Sequence, residues 1–141
     1  MKLTNDLIRD VLLCIERECE SFTDEDNERF HTEDVHWIHI YEDEFLDSKY
    51  DIDDIKYSIV KLHEHSLIQA RIYNVGGDIS HILIDNLTWE GHELLNTIRD
   101  DEIWNGIKKK IGDISKVSLK ILCEVSLKYG TEWLLNRLAG Y

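Results

Sequence analysis

Apolar residues fall into runs of helical and of strand periodicity along this chain, most densely between Leu67 and Asp101. Leu67–Tyr73 and Ser80–Leu87 are β-prone and flank Asn74-Val75-Gly76-Gly77-Asp78, whose glycine pair can supply the positive φ of a hairpin turn. Thr88 then stands as an N-cap, Glu90 puts negative charge in the first turn, and Leu94, Leu95 and Ile98 recur at helical spacing up to Arg99. Upstream, Ile52, Ile55, Ile59 and Leu62 form the apolar stripe of another helix.

Helix, hairpin and helix in that order predict the recognition helix and wing of a winged-helix-like α+β domain, mainly α, with Tyr41–His65 as its helix-turn-helix. Around it, Thr4 or Asn5 caps a first helix from Asp6 to about Cys19, with Leu7, Val11, Leu12, Cys14 and Ile15 inward and Arg9, Glu16, Arg17 and Glu20 outward. Ser21–Asp34 reads as an acidic solvated loop, and more sharply as a contact loop for a basic partner. Val35–Tyr41 reads as a strand that pairs with the hairpin, and Asp43–Leu46 as a short helix.

Beyond Arg99, three acids at Asp100-Asp101-Glu102 open a helix with Ile103, Trp104, Ile107 and Ile111 on its apolar side, ending at Gly112. Asp113 or Ser115 caps a last helix to about Leu138. It bears one strip of Val117, Ile121, Val125 and Leu135 and a second of Leu122, Tyr129, Trp133 and Leu134, with Gly130 a place to bend or interrupt it. Two strips exceed one packing contact. The expected division is a domain over residues 1–112 and, over 113–141, a C-terminal helix that packs on it or mediates a homodimer.

Composition sharpens this picture through charge. Sixteen Lys and Arg against 29 Asp and Glu leave a formal net charge of −13. Residues 1–70 hold 7 basic and 19 acidic side chains, whereas residues 71–141 hold 9 and 10. The front half therefore repels duplex DNA and anionic membranes on average. Aliphatic runs such as Val11–Ile15 fall far short of the ~20 residues of a membrane span. The N-terminus leads straight into an amphipathic helix rather than a signal peptide, so a cytoplasmic location is expected. Cys14, Cys19 and Cys123 form no CxxC pair and read as reduced thiols.

Catalytic signatures are sparse. His36 and His39 would point to opposite faces of a strand, and neither they nor His63 and His65 are joined by further ligands, so no metal is expected. His92 has no nucleophile or oxyanion motif beside it, and Gly76-Gly77 lacks the helix and lysine of a phosphate loop. The expectation is a non-enzyme without cofactors. The face offered by helix 51–65 and the wing comprises Asp54, Lys56, Tyr57, Lys61, His65 and Arg71, with Asp53, Ser58 and Glu64 beside them, and Lys108-Lys109-Lys110 is the one basic cluster. These residues are the candidate partner or DNA contacts. Acids and bases nearly cancel on the helix, which disfavours base reading and favours a protein partner.

Asn5-Asp6-Leu7-Ile8-Arg9, Ile55–Ile68 ending in Leu-Ile, Leu87-Thr88-Trp89-Glu90-Gly91-His92, Ile98-Arg99-Asp100-Asp101 and Ile103-Trp104 with Lys108 together resemble the family called domain of unknown function 2513. Leu94 and Asn96 depart from the Phe and Asp frequent there, and Asn96 weakens the case for a functional carboxylate at that position. The resemblance implies a phage or prophage origin and a winged-helix-like fold, and brings no catalytic residues. The expected function is a regulatory or accessory protein-binding module, the alternative a DNA-binding regulator using helix 51–65 and the wing. Trp89, His92 and Trp104 are expected to anchor the wing helix to the next one.

Overall fold

A computed structural model describes residues 3–19, 21–24, 29–32, 35–112 and 119–139. The first helix, α1 (Asn5–Glu18), starts where Thr4 takes an extended conformation and its side chain accepts from the Leu7 amide. Leu7, Ile8, Val11, Leu12 and Ile15 of α1 are buried, and the helix packs on α2 (Trp37–Tyr41), α4 (Ile52–Glu64), α5 (Trp89–Ile98) and the strand β5 (Asp78–Leu87). It is the pillar of the core. Facing it are Ile55, Ile59 and Leu62 of α4, Ile82 and Ile84 of β5, and Leu94, Leu95 and Ile98 of α5.

The stretch read as an acidic loop contains an antiparallel hairpin instead, β1 (Ser21–Asp24) with β2 (Arg29–Thr32), in register Ser21 to Thr32 and Asp24 to Arg29. Phe22, Thr23, Phe30 and Thr32 give these segments the aromatic and β-branched content of strands despite the surrounding carboxylates. Glu20, Glu25, Asp26, Glu28, Glu33 and Asp34 lie outside the described residues.

The strand expected over Val35–Tyr41 is cut to β3 (Val35–His36), which pairs with Ile84 and Leu83. The chain then coils into α2, because a helical turn puts Trp37, Ile40 and Tyr41 on one side, with Ile40 fully buried. Strand geometry would have split them between two faces. The Trp37 and Tyr41 rings lie 6.3 Å apart, and Lys56 of α4 sits 5.2 Å from the centre of Trp37. Asp43 caps α3 (Glu44–Lys49), which runs past the expected Leu46.

Helix α4 buries Ile55, Ile59 and Leu62 as its stripe predicts, with two differences at the edges. Ile52, expected inward, is 39% exposed in the first turn, and Ser58, expected outward, is buried with its hydroxyl donating to the Ile55 carbonyl at 2.7 Å. The helix ends in a Schellman turn, with the Leu67 amide bonded to Leu62 O and the Ser66 amide to His63 O. Ser66 takes φ 58°, the left-handed position usually given to glycine.

The chain then enters β4 (Ile68–Val75), paired antiparallel with β5 to give the sheet order β3-β5-β4. The hairpin is longer than expected, and its turn shrinks to Gly76-Gly77, at φ 60° and 89°. Positive φ at both positions matches the twist of a two-residue hairpin. Thr88 caps α5 by accepting from the Gly91 amide at 3.1 Å. Gly91 lies so close to the sheet that a Cβ there would fall 2.0 Å from the Leu67 carbonyl oxygen.

Asp100 caps α6 (Asp101–Ile111), which stops at Gly112. The last helix, α7 (Leu119–Ala139), packs on α5 and α6. Asp113, Ser115 and Val117 lie outside the described residues. Of the second expected strip Leu122 is buried and Tyr129 and Trp133 half-buried but Leu134 is exposed, while of the first Val125 is half-buried and Ile121 and Leu135 are exposed; Leu119 and Ser126, assigned to neither strip, are buried. Gly130 neither bends nor interrupts α7; it lets the helix approach α5, since a Cβ would meet the Thr97 methyl at 2.4 Å.

Trp104 is 2% exposed, so Trp104→Ala is expected to cost about 3–5 kcal/mol in a denaturant titration. Ser66→Gly, by removing the left-handed penalty, is expected to raise stability by about 1 kcal/mol in the same assay.

Candidate functional site

The face formed by α4 and the hairpin is built from side chains that already have work inside the molecule. Lys56 donates to the Ile79 carbonyl at 3.3 Å and covers Trp37, fastening α4 to the wing and to α2. Lys61 pairs with Glu64 at 2.9 Å and lies 5.3 Å from the centre of the half-buried Tyr57 ring. That hydrogen bond to Glu64 raises the lysine above its ordinary pKa. Arg71 reaches Asp85 across the hairpin at 3.3 Å. His65 is exposed at the end of α4, and Asp54 is half-buried at its start.

The basic cluster divides in the same way. Lys108 donates to Asp6 at 3.0 Å and lies 5.7 Å from the Trp104 ring, so it belongs to the packing of α6 on α1. Lys109 and Lys110 are exposed, with Lys110 5.0 Å from the Tyr129 ring of α7. Lys56, Lys61, Arg71 and Lys108 thus all have partners within the molecule.

What the structure does assemble is acidic. An open groove of about 510 Å3 at the start of α4 is lined by Tyr41, Asp47, Tyr50, Asp51, Ile52, Asp53 and Asp54. The charge of Asp47 lifts the Tyr41 hydroxyl above its ordinary pKa. Asp51 occupies the N-cap position of α4 without a capping side-chain hydrogen bond, and the exposed Ile52 adds an apolar contact between the carboxylates. Behind the groove, burial and the Asp10 carboxylate hold the Tyr50 hydroxyl protonated, and Tyr50 donates to Asp10 at 2.5 Å with Lys49 at 3.2 Å. Sequence reasoning named only Asp54 of this lining as a contact; the run of acids from Asp51 was visible, but the opening beside α2 and α3 was not.

The residues that carried the family resemblance converge elsewhere. Arg9, expected outward, donates to the Ile98 carbonyl at 2.8 Å, the Arg99 carbonyl at 2.6 Å and Asp101 at 2.8 Å. Asp6 accepts from the Trp104 indole at 2.9 Å as well as from Lys108, and Asn5 donates to the Gly112 carbonyl at 2.5 Å. Thr88 and Gly91 shape the start of α5. Trp89 is the exception: expected as an anchor, it is 75% exposed, with its indole nitrogen donating to Glu93 at 2.8 Å. A helix of 3.6 residues per turn puts Trp89 opposite Gly91, Leu94, Leu95 and Ile98, so its outward direction was legible from spacing. His92 is half-buried.

Cys14, Cys19 and Cys123 form no disulfide with one another, and burial pushes the Cys14 thiol up to about 12 and the Cys123 thiol to about 11, far from reactive thiolates. Among the described residues no group of three or more His, Cys, Asp or Glu side chains is placed to hold a metal, and no helix is long and apolar enough to cross a membrane.

Burial alone would raise the Asp6 carboxyl, but hydrogen bonds from Trp104 and Lys108 outweigh it and hold the group below its ordinary value of 3.8. Its stabilising share is therefore complete above 3.8 and is lost as pH falls through the lower folded-state value. Asp6→Asn is expected to be less stable than the native chain at neutral pH, with the gap closing below 3.8 in denaturant titrations across pH.

A protein of Haemophilus influenzae described as an uncharacterized protein is 38% identical over 111 residues, covering 79% of each chain. No solved structure matches the chain. The family model described as "Hypothetical protein (DUF2513)" matches residues 2–116, which takes in α1 through α6 and stops short of α7. The chain belongs to the DUF2513 family.

Proposed function

We propose that this chain is a non-enzymatic regulatory or accessory protein of phage or prophage origin, acting in the cytoplasm as a protein-binding module on a winged-helix-like scaffold. The order β3, α2, α3, α4, β4, β5, with β3 pairing on the far side of β5 from β4, supports that scaffold, with α4 in the position of a recognition helix. The observation that carries the reading is the character of α4. Its first turn and the groove beside it present Asp47, Asp51, Asp53 and Asp54 around an exposed Ile52, while Lys56 and Lys61 are engaged within the molecule.

A helix that reads DNA offers cations and amides to phosphates and base edges. This one offers carboxylates and one aliphatic side chain, the complement of a basic segment on another protein. Carboxylates at the N-terminus of α4 also interact favourably with its dipole, so the acidic surface is compatible with a stable helix.

The test is fluorescence anisotropy at two salt concentrations, with a labelled mixed-sequence duplex and a labelled peptide rich in lysine and arginine. Peptide binding that weakens with salt, and that falls at least tenfold when Asp51, Asp53 and Asp54 are all changed to Asn, is the expected result. Salt-sensitive duplex binding without peptide binding would replace this reading with a DNA-binding regulator using α4, the wing and the exposed Lys109 and Lys110.

A further inference from the structure

The tryptophans of this chain follow a pattern that Trp89 breaks. Lys56 lies 5.2 Å from the centre of the Trp37 ring, Arg9 and Lys108 lie 5.9 and 5.7 Å from that of Trp104, and Arg137 lies 5.0 Å from that of Trp133. Each of those rings holds a cation of the same chain against its electron-rich face. Among the described residues, Trp89 alone of the tryptophans has no such cation. Among the residues whose burial is described it is also the most exposed of the large hydrophobic side chains, at 75%.

Its setting is that of a receiving surface. The indole nitrogen donates to Glu93, one turn along α5, which fixes the ring direction and brings a carboxylate to its edge. Glu90, exposed, follows Trp89 in the same first turn. The Thr88 hydroxyl donates to the Ser66 carbonyl at 2.6 Å, joining the start of α5 to the turn that ends α4.

We propose that Trp89 is the docking point for an arginine side chain of a protein partner. The proposal rests on the protein-binding reading given above and names the side chain that this second surface receives. A planar guanidinium stacks on the indole and at the same time donates to the carboxylates of Glu93 and Glu90, a combination that an ammonium fulfils less well. A chain of net charge −13 draws such a partner toward it.

The experiment is an NMR titration of the 15N-labelled full chain with two glycine-spaced peptides of equal charge, one bearing arginine and one lysine. The Trp89 indole N–H resonance is expected to shift saturably with the arginine peptide, and more weakly with its lysine counterpart. Trp89→Ala is expected to lower affinity for the arginine peptide about tenfold and Trp89→Phe to retain most of it, both with unchanged circular dichroism. Shifts at Asp51–Asp54 with a silent Trp89 indole would overturn the docking point and leave the protein-binding reading standing. No shift at either place would overturn both, and equal affinity for the two peptides with no effect of Trp89→Ala would remove the arginine assignment.

Discussion

The lock between α1 and the junction of α5 with α6 is the constraint on which the remaining structure depends. Arg9 satisfies carbonyls at the end of α5 that the helix itself leaves unbonded, and its pairing with Asp101 holds the start of α6 against the same point. Asp6 grips the other end of the contact through Trp104 and Lys108. With its N-terminal half pinned through Asp6 and Arg9, α1 buries Leu7, Ile8, Val11, Leu12 and Ile15 against α4, the sheet and α5. An apolar face alone would fix the burial of α1 but not its position along the neighbouring helices; the polar contacts set that position.

Much of this was legible in the sequence because it is local. Caps at Thr4 and Thr88, the acids that open α6, the stripe of α4 and the glycine pair of the hairpin depend on neighbours a few residues away, and the structure places them close to where spacing puts them. The errors arise where distant partners decide. Val35–Tyr41 has strand composition, but the surfaces of α1 and α4 reward a helical turn that collects Trp37, Ile40 and Tyr41. Arg9 looks solvated on a helical wheel and becomes a tertiary ligand only because Ile98 and Arg99 end their helix beside it. Gly130 reads as a helix breaker until Thr97 supplies a reason for the missing side chain. The candidate contact residues fared similarly: their positions on α4, the wing and α6 were legible, but the engagement of Lys56, Lys61 and Lys108 by internal partners was not.

The same economy of cations explains the surface. This acidic chain uses its positive side chains to hold elements together, as Arg9, Lys56, Lys108 and Arg99 with Glu16 show. Carboxylates outnumber them, so the excess gathers at the outside, notably around the opening of α4. The acidic surface around that opening therefore needs no separate cause: it is what remains once many of the scarce cations are committed to joints within the molecule.

The span of the Asp6 lock also orders the birth of the molecule. Trp104 and Lys108 lie 98 and 102 residues downstream of their acceptor, so α1 leaves the ribosome long before the groups that hold it exist. During synthesis its apolar side waits without its final neighbours, and the closing contacts form late and together, after α6 has emerged. Such long-range closure slows folding, and it leaves part of the apolar side of α1 open until the second half of the chain arrives.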